Sequence, residues 1–357
     1  MTVYASKPEI NVREKLKELD KTSGIAGEAV LRSETIRDAQ NVLGVGRKNI
    51  LINSQFHVNQ RNENVTSGVD VVGVNNKYLI DRWNEYHNGG VTRRITVTNG
   101  VELPNGMIVN SHKTELISGS ANWLHPVQQL RFEKWMYGTT FTVSTWVKTN
   151  FSGNRIRVCD TLSCYLLGPE IPADGEWHYV TGTITFPKSG LTESAVTQWH
   201  PAFGGVPDGA GSYIEFALMQ VEVGEVATPF EFRSYQEDLA LCQRYYIRFQ
   251  AEGTGQRFAV GYGDTGGYAN FIFHLPEPMY RNNPTLSHSA LSGFTFATGS
   301  GVYSGSSSLG IATSPIPHQQ IFVSMYWSGG SPWSGTPAGH LRSANGTEYI
   351  AFDAEVT

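Results

Sequence analysis

The sequence predicts a mainly β protein with a helical arm at its N-terminus, a two-sheet β-sandwich, a short linking helix and a small β-sandwich domain at its C-terminus. Three observations carry this. Residues 1–47 are dense in charge, short of aromatics and built from helix formers. From Asn49 to about Arg233, apolar and polar residues alternate in VTRRITVT (91–98), FTVSTWVK (141–148) and WHYVTGTITF (177–186), with Gly, Asn and Pro turns between, as the half-buried strands of a sandwich require. Between residues 211 and 246 an apolar strand runs through a proline-bearing link into a helix start, which marks a junction between two bodies.

Within the arm, Ser6, Pro8 and Glu9 suit a helix start and Gly24 a stop. A second helix would carry Leu31, Ile36, Ala39, Val42 and Leu43 before ending at Gly44 and Gly46. That apolar stripe is narrow, so the helix needs a partner. Three copies of the chain would convert the stripe into a shared core. Packing onto the chain's own sandwich is the alternative.

At the junction, residues 213–221 are apolar on both alternating faces, which predicts a strand covered on both sides. Pro229 cannot donate to a ladder, so residues 228–232 should be an edge segment or extended link. Ser234 with Glu237 has the form of a capping box, and Leu239, Cys242 and Tyr246 recur at helical spacing beside Tyr245. Beyond Tyr246 the chain is rich in Gly, Ser and Thr, with short apolar bursts (FAVGYG, NFIFHLP, QQIFVSMYW, EYIAFDAEV) that suit a second small β-body. Residues 299–310 should form a loop or hairpin tip. No fixed-period repeat is present, which counts against a β-helix.

A chain of 357 residues can bury two or three cores, so no cofactor is expected for stability. A net charge of −5 without clustered Lys and Arg argues against nucleic-acid binding. The N-terminus lacks the apolar core of a secretory signal, and no run approaches the ~20 apolar residues of a membrane span, so a protein made soluble in a cytoplasm is expected. No cysteine or histidine spacing matches a zinc site. A structural calcium would need oxygen ligands converging from separate loops, which a sequence does not display.

The 211–246 phrase resembles the junction of tailed-bacteriophage tail fibre and receptor-binding proteins, which leads into a small C-terminal β-domain. NILINSQFHVNQR (49–61) and LIDRW (79–83) look like the opening of that family's carbohydrate-binding-module-like sandwich, FTVSTWVK and EWHYVTGTITFP (176–187) its central strands, and YIAFDAEV (349–356) its chain end. The resemblance implies a jelly-roll sandwich over 48–233, a linking helix and receptor-binding β-domain over 234–357, and a virion-attachment arm over 1–47. It also implies a homotrimer docked to tail or baseplate proteins through the arm, assembled in a bacterial cytoplasm and binding host surface glycan. A head fibre or capsid decoration protein is the alternative, and a polysaccharide-degrading tailspike enzyme a further one. In a reducing cytosol Cys159 and Cys164, which could otherwise pair across a short turn, are expected as free thiols. Cys242 is expected in the helix core.

Glycoside hydrolysis needs two placed carboxylates. Glu133, Asp160, Asp174 and Glu215 sit in no recognisable catalytic phrase, and no GxSxG, Walker or HExxH motif occurs, so a non-enzymatic protein is expected. His200 and His318 look like loop residues. Sugar binding asks instead for exposed rings with nearby amides and hydroxyls. Tyr326, Trp327 and Trp333, in MYWSGGSPWSGTP, offer such a platform with His340 and Arg342 as polar partners, unless they fill the small domain's core or a trimer interface. Trp123, His125, Trp135 and Tyr137 form a second candidate group, while Trp146 and Trp177 belong to strand phrases and are expected in the sandwich core.

Overall fold

The computed structural model describes residues 48–355 apart from residues 62, 74–76, 88–89, 122–123, 161–162, 191–195, 282–283 and 312–318. The predicted arm, with Leu31, Ile36, Ala39, Val42 and Leu43, lies outside the described residues.

Among the described residues, two antiparallel six-stranded sheets form the first body. One runs β1 (Val69–Val72), β4 (Thr92–Glu102), β5 (Ile108–Ser118), β12 (Tyr213–Val223), β7 (Thr140–Thr149) and β10 (His178–Thr185). The other runs β2 (Lys77–Ile80), β3 (Trp83–His87), β6 (Leu124–Arg131), β11 (Val196–Phe203), β8 (Arg155–Cys159) and β9 (Cys164–Leu167). Alternate residues of both sheets meet in one core, where Trp83, Phe141, Phe186, Trp199 and Phe216 are buried, and the Trp83 and Phe216 rings lie 4.9 Å apart. Each such side chain contributes roughly 1.5–3 kcal/mol by leaving water. Strand β12, flanked by β5 and β7, is buried from Ile214 to Glu222, which is the two-sided cover its composition predicts.

The second body pairs β13 (Tyr246–Gln250), β22 (Tyr349–Asp353) and β16 (Thr285–His288) in one sheet. Its larger sheet runs β18 (Val302–Tyr303), β17 (Phe294–Thr298), β21 (Ala338–Ser343), β14 (Arg257–Gly263), β15 (Tyr268–His274), β20 (Gln320–Tyr326) and β19 (Ser308–Ile311). Phe271, Phe273, Phe294, Phe296, Val323, Met325 and Phe352 fill its core. Residues 299–301 form the β17–β18 hairpin tip.

Helix α1 (Tyr235–Gln243) links the bodies. The Ser234 hydroxyl accepts from the Glu237 amide while the Glu237 carboxylate accepts from the Ser234 amide, the reciprocal bonds of the predicted capping box. Cys242 and Tyr245 pack with Ile52 and Val58, so the helix rests on the segment that opens the first sandwich.

Two expectations are corrected here. The β8–β9 register sets Cys159 directly opposite Cys164, and the two form a disulfide rather than free thiols. His200 is a buried β11 residue rather than a loop residue, packed 4.5 Å from the His125 ring, and burial pushes its imidazole well below the ordinary range.

The bodies meet over a buried ionic joint. Arg82 donates to the Glu355 carboxylate and to the Gln129 carbonyl (2.7 Å), and its guanidinium lies 3.6 Å from the Tyr245 ring centre. Arg61 reaches Asp353 (3.0 Å) and Glu355 (3.1 Å) and covers the Tyr246 ring. Asp81 accepts from the Gln60 amide (2.6 Å) and side chain (3.0 Å), and Gln60 also donates to the Tyr246 carbonyl. Burial pushes the Asp81 carboxyl up to about 6, against the pull of Arg61 and Gln60.

Glu355→Leu strands Arg82 in the interior and is expected to lower unfolding free energy by about 3–5 kcal/mol in urea titrations. Combined with Arg82→Met it should cost clearly less than the two single changes added together, and strict additivity would show the pair uncoupled. The raised carboxyl gives Asp81 the opposite pH sign to a salt-bridged acid. Its stabilising protonated form is complete below its ordinary value of 3.8 and is lost as pH rises through about 6. Wild-type stability relative to Asp81→Asn should therefore fall by roughly 3 kcal/mol between pH 3 and pH 7, read from paired denaturation curves.

Candidate aromatic binding cleft

The outer face of the β1–β10 sheet carries a cleft of about 370 Å³ lined by Asn105, Met107, Ser144, Trp146, Tyr179, Leu218, Pro229, Phe230 and Phe232. Strand phase builds its floor. Phe141, Val143 and Val147 of β7 point into the core, so Ser144 and Trp146, one residue out of step, point away from it. Tyr179 on β10 stands directly opposite Trp146, with ring centres 5.3 Å apart. In β12 the register shifts between Ala217 and Gln220, and Leu218 takes a positive φ of 51°. This bulge brings Leu218 to the outer side, where it clusters with Ala217, Leu103 and Val109. The β4–β5 hairpin supplies Asn105 and Met107 at one rim.

The opposite wall comes from the link to α1. Phe230 and Phe232 meet edge to face at 5.0 Å, and Phe232 is 57 % exposed. Their backbone is held by side chains of the sheet below. Glu222 accepts from the Thr228 amide (2.8 Å) and hydroxyl (2.6 Å), and the Glu231 amide donates to Gln220 Oε1 (2.8 Å). The Glu231 carboxylate in turn accepts from the Lys48 and Asn49 amides (2.8 and 2.7 Å). Beyond the cleft the same face turns polar. Lys148 pairs with Glu215 at 3.0 Å and lies 4.9 Å from the Trp177 ring centre. Trp146 and Trp177 are thus half-buried outer-face residues, which corrects their expected place in the sandwich core.

The C-terminal candidates divide between the core and the outer face of the second body. Trp327 and Trp333 are 6 % and 7 % exposed, meet edge to face at 5.0 Å, and donate their indole N–H groups to the Ser304 and Asp264 carbonyls (2.9 Å each). They fill the core and present no ring face for stacking. Gly263 lies against the Trp333 indole, where an added Cβ would come within 2.5 Å of it. Tyr326 points the other way and pairs with Tyr268, ring centres 4.6 Å apart, on an outer face shared with exposed Tyr262 and Val260. His340 and Arg342 lie on that face in β21, with Val260 opposite His340. Burial and the charges of Arg257 and Arg342 lower the His340 imidazole.

The second candidate group is not assembled as a platform. Trp123 lies outside the described residues. His125 is buried against His200 and Phe203. Trp135 is exposed but its indole N–H donates to Glu133 (2.7 Å), and Tyr137 packs on Phe132. Among the described residues no group of three or more His, Cys, Asp or Glu is placed to hold a metal ion, and no helix is long and apolar enough to cross a membrane.

No family model matches the chain, and no curated protein matches it. Among solved structures, a cyclase from Fischerella sp. TAU aligns at a TM-score of 0.33 and 12% identity, covering 51% of this chain and 100% of its own. The CBM22-1 xylan-binding domain of Paenibacillus barcinonensis Xyn10C aligns at 0.28 and 14%, covering 44% and 95%. The enzymatically active domain of bacteriophage CBA120 tailspike protein 4 aligns at 0.30 and 15%, covering 49% and 21%.

Trp327→Ala is expected to lower stability by about 3–5 kcal/mol in chemical unfolding, as loss of a buried ring does. Tyr326→Ala should cost no more than about 1.5 kcal/mol, the worth of an aromatic pair.

Proposed function

We propose that this chain is a non-enzymatic glycan-binding protein, serving as a tail fibre or receptor-binding component of a tailed-bacteriophage virion. The observation that carries glycan binding is the convergence of Trp146, Tyr179, Phe230 and Phe232 on one cleft beside the Asn105 amide and the Ser144 hydroxyl. Rings supply flat apolar surface for the C–H faces of a sugar, and the amide and hydroxyls orient it. The virion role, attachment to tail or baseplate proteins through residues 1–47 and assembly as a homotrimer are drawn from the sequence resemblance. A shallow cleft of this kind binds weakly by itself. Three copies on one fibre raise avidity by orders of magnitude without a new contact. The Tyr262, Tyr268 and Tyr326 face of the second body offers an additional glycan contact, flanked by His340 and Arg342.

Isothermal titration of the full chain with polysaccharide extracted from host cells tests the assignment. Trp146→Ala should weaken binding about tenfold or more, since loss of one stacking ring together with its apolar contact area is worth at least ~1.4 kcal/mol. Its melting temperature should move little because the ring is half-exposed. Equal affinity for wild type, Trp146→Ala and Tyr179→Ala would remove the cleft from the reading.

A further inference from the structure

We propose that the outer-face cleft selects uncharged saccharide units and rejects acidic ones, an inference that rests on glycan binding at this site. The nine lining residues include no Lys, Arg, His, Asp or Glu. Recognition of a carboxylate, sulfate or phosphate depends on a guanidinium, an ammonium or an array of free amides aimed at it. The cleft offers instead one carboxamide (Asn105), one aliphatic hydroxyl (Ser144) and one phenol (Tyr179), the groups that exchange hydrogen bonds with sugar hydroxyls.

The cations that flank the cleft are already engaged. Lys148 is held by Glu215 at 3.0 Å. Arg233 donates to the carbonyls of Leu51 (2.7 Å) and Asn49, and Lys48 donates its ammonium to the Thr228 hydroxyl (3.2 Å). The flanking carboxylate of Glu222 is tied by hydrogen bonds to Gln220 and Thr228 and has no arginine or lysine among those partners. An anionic ligand would therefore lose its water against apolar rings and find no cation among the residues that line the cleft. A neutral ring loses only hydroxyl hydration on one edge, which Asn105, Ser144 and Tyr179 can replace.

The two aromatic pairs add a constraint on shape. Trp146 with Tyr179 forms the floor and Phe230 with Phe232 the wall, so a bound unit contacts rings on two sides. Charged or bulky substituents on either side of that unit would separate it from one pair.

The test uses the labelled full chain on an array of neutral and anionic glycans, with Trp146→Ala subtracted to isolate signals that pass through the cleft. Trp146-dependent signals confined to neutral glycans, with affinity changing less than about twofold between 50 mM and 500 mM NaCl, are expected. Trp146-dependent binding to uronic-acid, sialylated or sulfated glycans, or an affinity that falls about fivefold or more over that salt range, would overturn the neutral selectivity while leaving glycan binding at the cleft in place. Signals equal in wild type and Trp146→Ala throughout would overturn the cleft assignment itself.

Discussion

The Glu231 side chain is the point on which the arrangement depends. Its carboxylate gathers the amides of Lys48 and Asn49, where the described chain enters the first sandwich, while its own amide is anchored on Gln220 of the central strand. Two flanking residues, Phe230 and Phe232, are thereby fixed as the cleft wall. Two residues on, Arg233 donates to the Asn49 and Leu51 carbonyls, and Ser234 caps the linking helix. Entry segment, cleft wall and helix start are therefore held by one short polar segment. Charge-assisted hydrogen bonds of this sort are about twice as strong as neutral ones, and several here are shielded from water.

The joint between the bodies follows a different logic. A buried Arg82–Glu355 pair adds little net stability over a well-packed apolar pair, yet it leaves few alternative ways to dock. Any slip of the second body would strand both charges. Arg61 and the Tyr245 and Tyr246 rings add direction, because a guanidinium stacks on an aromatic face in a narrow range of poses. Asp81, held up near pH 6 by its burial, is the costly member of this group, and its bonds from Gln60 tie the turn before β3 to the start of β13.

Local features of the sequence were legible to the extent that local physics decides them. Alternation marked β4, β7 and β10, two-sided apolarity marked β12, and the Ser234–Glu237 spacing marked the helix start. The joint was not legible, since Arg82 and Glu355 are 273 residues apart and neither LIDRW nor YIAFDAEV carries a local signal that its charge meets the other. The disulfide escaped because compartment outweighed the hairpin register that sets Cys159 opposite Cys164.

The aromatic sites are the more instructive case, because strand phase carried the answer. In FTVSTWVK the apolar residues at 141, 143 and 147 share one parity and Trp146 has the other, so burying the first three forces the tryptophan outward. In QIFVSMYW the core parity is 321, 323, 325 and 327, which buries Trp327 and turns Tyr326 out. A ring's identity says how much surface it can offer, while its parity against its strand neighbours says to whom it is offered. Phase cannot place Phe230 and Phe232, since they lie on an extended link whose position depends on Gln220 and Glu222 beneath it. A cleft made of one sheet face and one pinned link thus requires both kinds of information, periodic for its floor and non-local for its wall.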